Sequence, residues 1–499
     1  MDIVKENLII KEQAFKISKS IIVDQNYLIP DVKQDFISNT LINGNVFISK
    51  TEIQSGKLKV EGTVNIYDLY LNSEESNSNL DLVIPFSEII KFDDDMENVQ
   101  NTDIKSSCKI KDFKVKPLNE RKVQFITELD LKLIISNSKN VEIITDIKNA
   151  NDNIEAKKVS ENIESLVGYG RNSGRVKESL KITDVEKIAG IIKINYRVEN
   201  IENKISYNKV LVKADIGIEV FYRNEENRIG KKNNTVQFMT FIDIPDIKET
   251  NYCNTQVNIL NSNINIVSDT NIETDLECEA VCDVYEAKEI SYINDFYGIK
   301  KRYKYDKNEI NYSSSEKRDN IKQNLQAKVL IDNINNLYDT NTKLYIQSKS
   351  YQDNVTKFLC ICETEYIYDV FDGKNIESLK NNIDFTLEFE GNVEEIDLSV
   401  SDSSFIILPD STIDTRIEVA TNIKECSSKS ISVIKNIEET DEIGNEYSMV
   451  IYFVQKDDTL WQIAKDFQTT IESISKINNI QNADDIKEGR RLYIPRTAI

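Results

Sequence analysis

Histidine does not occur in this chain of 499 residues, and its absence narrows the chemistry open to the protein. Ser–His and Cys–His nucleophiles and His-held metals are all excluded. The 84 carboxylates are so abundant that pairs can be picked out anywhere, and they locate no glycosidase-like centre. Among the seven cysteines, Cys278 and Cys282, and likewise Cys360 and Cys362, lie an even number of residues apart within alternating runs. Each pair therefore shares one face of a strand and reads as buried free thiols, with no second pair at metal-ligand spacing. The expectation is a non-enzyme without cofactor or metal. Recognition remains, and Trp461, the only tryptophan, is its best anchor. On a short amphipathic helix it is either an interface residue or core. Ile463, two residues on, should leave the helix on a different face, where an exposed apolar side chain would suit a partner. Glu488 to Arg491 holds the only concentrated positive charge in the tail.

The elements that must position Trp461 are short. An apolar strand around Phe453 and Val454 runs into the acidic turn Asp457-Asp458-Thr459. A helix follows with Leu460, Trp461, Ala464 and Phe467 in its pattern, and Asp458 as the expected N-cap. Thr469-Thr470-Ile471-Glu472 reads as a capping box with Thr at the N-cap and Glu at N3. A second helix carries Ile471, Ile474 and Ile477, and Leu492 to Pro495 closes with a strand. Leu460, Ala464, Phe467, Ile474 and Ile477 are the expected core of this βααβ unit.

The unit resembles a LysM domain through Asp458 to Ala464 (DTLWQIA), Ile477 to Ile480 (INNI) and Gly489-x-x-Leu492-x-Ile494-Pro495. LysM domains usually bind N-acetylglucosamine-containing glycans, including peptidoglycan and chitin. The resemblance places Asp457, Thr459, Asn478, Asn479 and Ile480 on the two loops that line the family groove. With Asp458, Leu460, Trp461 and Ile463 on the adjoining turn and helix, they form the expected partner-binding set. The family normally has glycine where this chain has Asp457, so a second carboxylate stands where backbone would be open to a sugar.

The formal net charge of −22 argues against nucleic acid and anionic membrane as partners. Residues 450–499 hold seven basic and seven acidic side chains, so the acid surplus lies before them. The first twenty residues lack the apolar core of a signal peptide, and no apolar run is long enough to span a bilayer as a helix. A reducing cytosol is the expected compartment.

The body reads as mainly β. Leu58, Val60, Val64 and Ile66 alternate with polar residues, as do Val123, Phe125, Leu129, Leu131 and Leu133, the pattern of antiparallel strands with one buried face. Val46, Ile53, Lys57, Tyr70 and Phe86 recur at a constant offset of 152 as Val198, Ile205, Lys209, Tyr222 and Phe238. A weaker third copy sets Lys357 and Phe385 in the corresponding places, with Ala214 and Cys362 where copy one has Gly62. A second strand pattern follows in each copy: Ile272 to Cys282 in the second, Ile413 to Ile423 in the third. Three tandem β-rich modules are expected at 1–147, 176–295 and 317–435, then the LysM unit at 450–496. Residues 148–175, with glycines at 168, 170 and 174, read as a flexible linker. Residues 298–316, basic and aromatic, read as a connector, and 436–448 as an acidic tether that lets the last domain move independently.

Gly56-Lys57-x-x-Val60-x-Gly62 and Ile84-Pro85-Phe86-Ser87, repeated β modules and a LysM unit together resemble the SipL-like clostridial spore-coat morphogenetic proteins built from SPOCS-type repeats. That resemblance implies a mother-cell scaffold recruited to the forespore surface. Its LysM domain would bind the coat's basement-layer ATPase, of the stage IV sporulation protein A type. Binding of peptidoglycan is the other reading.

Overall fold

The computed structural model describes residues 2–54, 56–91, 102–148, 153–183, 187–226, 228–317, 321–371, 376–393, 395–442, 448–482 and 486–495. Over these residues the protein is mainly β, with two short helices near its end. Module 1 comprises β1 (Asp2–Leu28), β2 (Phe36–Gln54), β3 (Lys57–Asn72), β4 (Asn77–Lys91), β5 (Thr102–Asn119) and β6 (Lys122–Lys148). Its strands form an antiparallel meander, β2-β3-β4, and a second sheet, β1-β6-β5. Module 2 repeats this topology with β7 (Ile154–Lys181), β8 (Ile188–Ser206), β9 (Lys209–Asn224), β10 (Ile229–Asp243), β11 (Tyr252–Ser268) and β12 (Asn271–Gly298). In module 3 the first long strand comes as two pieces, β13 (Lys301–Lys317) and β14 (Ile321–Leu330), both paired with β19 (Thr412–Glu442). β15 (Ile334–Gln352), β16 (Val355–Val370) and β17 (Glu377–Glu390) are its meander, and β18 (Glu395–Ile407) pairs with β19.

The alternating residues fold as their period demands. Leu58, Val60, Val64, Ile66, Val123, Phe125, Leu129, Leu131 and Leu133 close the module 1 core between its two sheets, the sandwich arrangement of two apolar faces. Cys278 and Cys282, and Cys360 and Cys362, are buried free thiols on single strand faces. Ile413, Thr415, Ile417 and Val419 are buried as well; the side chain of Ile423 lies outside the described residues. The third copy is set two residues off the sequence alignment. Phe86, Phe238 and Phe385 face Gly62, Ala214 and Cys360 across their strands. Thus Cys360, not Cys362, stands at the place of Gly62, and Val355, not Lys357, at that of Lys57. A two-residue slip leaves the same face buried, so period two does not reveal it.

The modules pack together around a pseudo-threefold axis. Leu69, Phe221 and Ile367 occupy the same place in β3, β9 and β16 and meet in one buried cluster. Val141, Ile290 and Ile431 do the same from β6, β12 and β19, and Ile144, Ile293 and Ile434 form a third such set nearby. Polar contacts add to this. Lys11 Nζ lies 2.7 Å from Asp103 and 2.7 Å from Asp283, while Arg171 and Lys105 reach the same two carboxylates at 3.2 Å each. Lys193 bridges to Asp339 of module 3 at 2.7 Å.

The expected linkers are strands. Residues 154–175 lie in β7, where Gly168, Gly170 and Gly174 face Val284, Cys282 and Cys278 of β12. A Cβ on Gly168 or Gly170 would stand 2.6 Å from Ile244 or Ile242, so the glycines admit a close approach of the neighbouring sheet. Their low strand propensity hid the strand. The basic connector and the acidic tether pair with each other: Lys304 opposes Glu438 and Tyr303 opposes Glu439 in the β13–β19 ladder, with an ion pair from Lys301 to Glu439. Each segment alone reads as a solvated charge run; opposite charges across a ladder make a stable pair. Residues 443–447 of the tether lie outside the described residues.

Candidate functional site

The last unit is built from β20 (Met449–Phe453), α1 (Leu460–Phe467), α2 (Ile471–Ile477) and β21 (Arg491–Pro495), with β20 and β21 antiparallel. Thr459, not Asp458, caps α1, its side chain accepting from the Gln462 amide at 3.1 Å. Asp458 instead accepts from the Gln455 amide and the Tyr452 hydroxyl, each at 2.7 Å, and ties the turn to the strand before it. Asp457 takes φ 68°. The turn thus keeps a glycine-type backbone, tolerated by Asp, and adds an exposed carboxylate. The capping box is shifted by one residue. Thr470 caps α2 by accepting from Ser473 N at 3.0 Å, while Glu472 is exposed and Thr469 is fully buried. Asn478 pins α2 to β21: its amide donates to the Tyr493 carbonyl at 2.6 Å and its Oδ1 accepts from the Tyr493 N–H at 2.7 Å.

The expected partner-binding residues divide three ways. Asp457, Thr459 and Asn479 are exposed, and Asp458, Trp461 and Asn478 are half-buried. Leu460, Ile463 and Ile480 are buried in the domain core at 1%, 2% and 9% exposure. For Ile463 this corrects the expectation of an outward side chain. Counted from Leu460, it lies three residues on, the spacing of one helix face, and that face covers the sheet. The burial of Leu460, Ala464 and Ile474 agrees with the expected core, while Phe467 and Ile477 are half-buried.

Trp461 is an interface anchor, but its partner is the chain's own scaffold. The indole Nε1 donates to Asp295 Oδ2 at 2.8 Å, and Lys465 Nζ donates to Asp295 Oδ1 at 2.7 Å. The Tyr305 hydroxyl also donates to Asp295. Tyr297 meets the indole edge-on at 5.2 Å between centroids and donates to the Thr469 carbonyl at 2.7 Å. Burial by itself would raise the Asp295 carboxyl; the bonds from Lys465, Tyr305 and Trp461 outweigh it and hold the group below the usual carboxylate range. Tyr297 belongs to the same apolar cluster as Leu460 and Ile474. The domain is therefore seated on the ends of β12 and β13, which corrects the expectation of an independently moving tail. Sequence reasoning missed Asp295, Tyr297 and Tyr305. The available signal was the aromatic density of residues 296–305, which read as a connector.

Opposite the helices, the outer face of β20 is open. Met449, Ile451 and Phe453 are 51%, 55% and 56% exposed, and Tyr493 and Arg491 stand beside them on β21. The strand Met-Val-Ile-Tyr-Phe is apolar on both faces, yet only the Val450 and Tyr452 side packs on the domain core.

The LysM domain family matches residues 452–495. The SipL, SPOCS domain family matches residues 40–118 and 184–267, which run from β2 into β5 and from just before β8 into β11. No curated protein and no solved structure matches the chain. Both families are binding rather than catalytic. Among the described residues no helix is long and apolar enough to cross a membrane. The chain thus joins two SipL-type SPOCS segments to a LysM domain near its end, and in this it resembles the SipL-like proteins.

Proposed function

We propose that the chain is a non-enzymatic scaffold of spore-coat assembly, working in the mother-cell cytosol and recruited to the forespore surface. Its LysM domain binds a coat morphogenetic ATPase of the stage IV sporulation protein A type. The observation that carries this reading is the joining of two SipL-type SPOCS segments to one LysM domain in a single chain. A protein ligand is supported over a glycan by the carboxylate of Asp457 on the turn that glycine normally leaves bare, and by the open apolar face of Met449, Ile451 and Phe453. Contiguous exposed apolar residues mark protein-binding surfaces. Asp457, Thr459 and Asn479 rim the domain as accessible polar contacts.

The test is a pull-down from sporulating cells with the full chain and with the chain lacking residues 450–499. The ATPase is expected with the first and absent from the second, and localisation to the forespore surface is expected to follow it. Equal recovery by both would end the proposal. LysM domains commonly bind peptidoglycan, so a chain that pellets saturably with purified peptidoglycan while failing to capture the ATPase would favour the glycan reading.

A further inference from the structure

Among the described residues the LysM domain has two surfaces suited to a protein, and one of them is already occupied. The α1 surface around Trp461 and Lys465 is occupied by Asp295, Tyr297 and Tyr305 of the same chain. The outer face of β20 is covered by nothing among the described residues. Three features define what would fit it. Met449, Ile451 and Phe453 lie at alternate positions and point the same way, offering apolar contact at the two-residue period of a strand. Among the described residues β20 pairs on one side only, with β21, which leaves its other backbone edge for strand addition. Arg491, opposite Phe453 on this face, rests over the Tyr493 ring at 5.0 Å. Among the described residues no carboxylate lies on the face, whose remaining members are the half-buried Tyr493 and the buried Pro495.

We propose that the open edge and outer face of β20 are where the LysM domain receives its protein partner, as an extended segment with alternating apolar side chains and a carboxylate placed to meet Arg491. This rests on the reading that the domain binds a coat protein, and it names the surface used. A second copy of this chain fits less well. Pairing two such faces sets like against like and leaves both Arg491 guanidinium groups without an acidic partner. Charge complementarity of this sort sets register and excludes wrong partners, while the apolar anchors supply affinity.

The experiment uses the purified full chain and the purified stage IV sporulation protein A type ATPase, with Ile451→Lys, Phe453→Ser and Arg491→Glu. These side chains are on the surface, so each variant should keep the melting temperature and the emission of Trp461, which reports the seated domain. Affinity is expected to fall on the order of tenfold or more for Ile451→Lys and Phe453→Ser, and by about tenfold for Arg491→Glu. An acidic-to-basic change in the ATPase segment should then restore binding to Arg491→Glu. Wild-type affinity in all three variants, with loss on deleting 450–499, overturns this surface and leaves the LysM reading standing. No binding even by the wild-type chain overturns both. A dimeric wild-type chain made monomeric by Ile451→Lys, with ATPase binding intact, assigns the face to a second copy and also overturns the proposal.

Discussion

Two kinds of place hold this molecule together, and they differ in symmetry. Around the pseudo-threefold axis the equivalent positions are apolar in all three modules: Leu69, Phe221 and Ile367, and again Ile144, Ile293 and Ile434. The polar junctions are less regular. Asp283, which holds Lys11 and Lys105, falls where module 1 has Ile134. Asp68, fully buried in β3, falls where β9 and β16 have Val220 and Tyr366. Asp295 of β12 seats Trp461 and Lys465; the same place in β6 is Asp146, engaged by Lys158 at 3.0 Å, and in β19 it is Asn436. Apolar packing has no direction, so repetition satisfies it three times over. Charged and hydrogen-bonded groups are directional, and placing them once distinguishes the modules and gives the single LysM domain a single seat.

The largest effect is expected where a directional contact is most buried. Asp283→Ala would leave Lys11 to Asp103 alone and take from Lys105 this carboxylate in the module 1–module 2 junction, at a cost of about 3 kcal/mol, read by denaturant unfolding; a loss under about 1 kcal/mol would show that the junction tolerates the change and that asymmetry there is incidental. Leu69→Ala should cost about 3 kcal/mol. Phe221 and Ile367 should respond comparably, and a large disparity among the three would break the symmetry argument. Asp295→Ala removes three donors' acceptor at a partly exposed seat and should weaken docking by about 2 kcal/mol. Global unfolding should hardly move, while Trp461 emission shifts to the red; unchanged emission would mean that Tyr297 alone holds the domain.

A further effect should depend on pH. Burial drives the Asp68 carboxyl up to about 8, against the lowering by its bond from Asn39. The folded state then keeps a proton that the unfolded chain releases near pH 4. Rising pH through the window from about 4 to about 8 favours the unfolded chain, and stability falls across it. Asp68→Asn should abolish that slope and raise the melting temperature more at pH 8 than at pH 4; a parallel shift at both would assign the effect to packing. Smallest is Asp457→Gly, which relieves the left-handed backbone for a gain of about 0.5 kcal/mol, seen as a slightly later loss of Trp461 signal on heating.

Composition, period and motif determined much of this protein. Alternation at Leu58 to Ile66 and at Val123 to Leu133 fixed one-faced strands, because side chains on a pleat alternate regardless of what lies beyond it. The run from Asp458 to Ala464 with Gly489 to Pro495 identified the LysM domain, and absent histidine removed whole classes of catalysis. These are local facts, carried by residues within a few positions of each other. Three things were decided only in the folded chain. Glycines 168, 170 and 174 became a strand because a second sheet approaches there. The basic and acidic stretches that each resembled a linker became one ladder because their charges meet across it. Trp461 found Asp295 and Tyr297, some 165 residues away in the chain, and Ile463 turned inward to the sheet. Each depends on a contact between segments remote in sequence, and such contacts leave no period in either segment by itself.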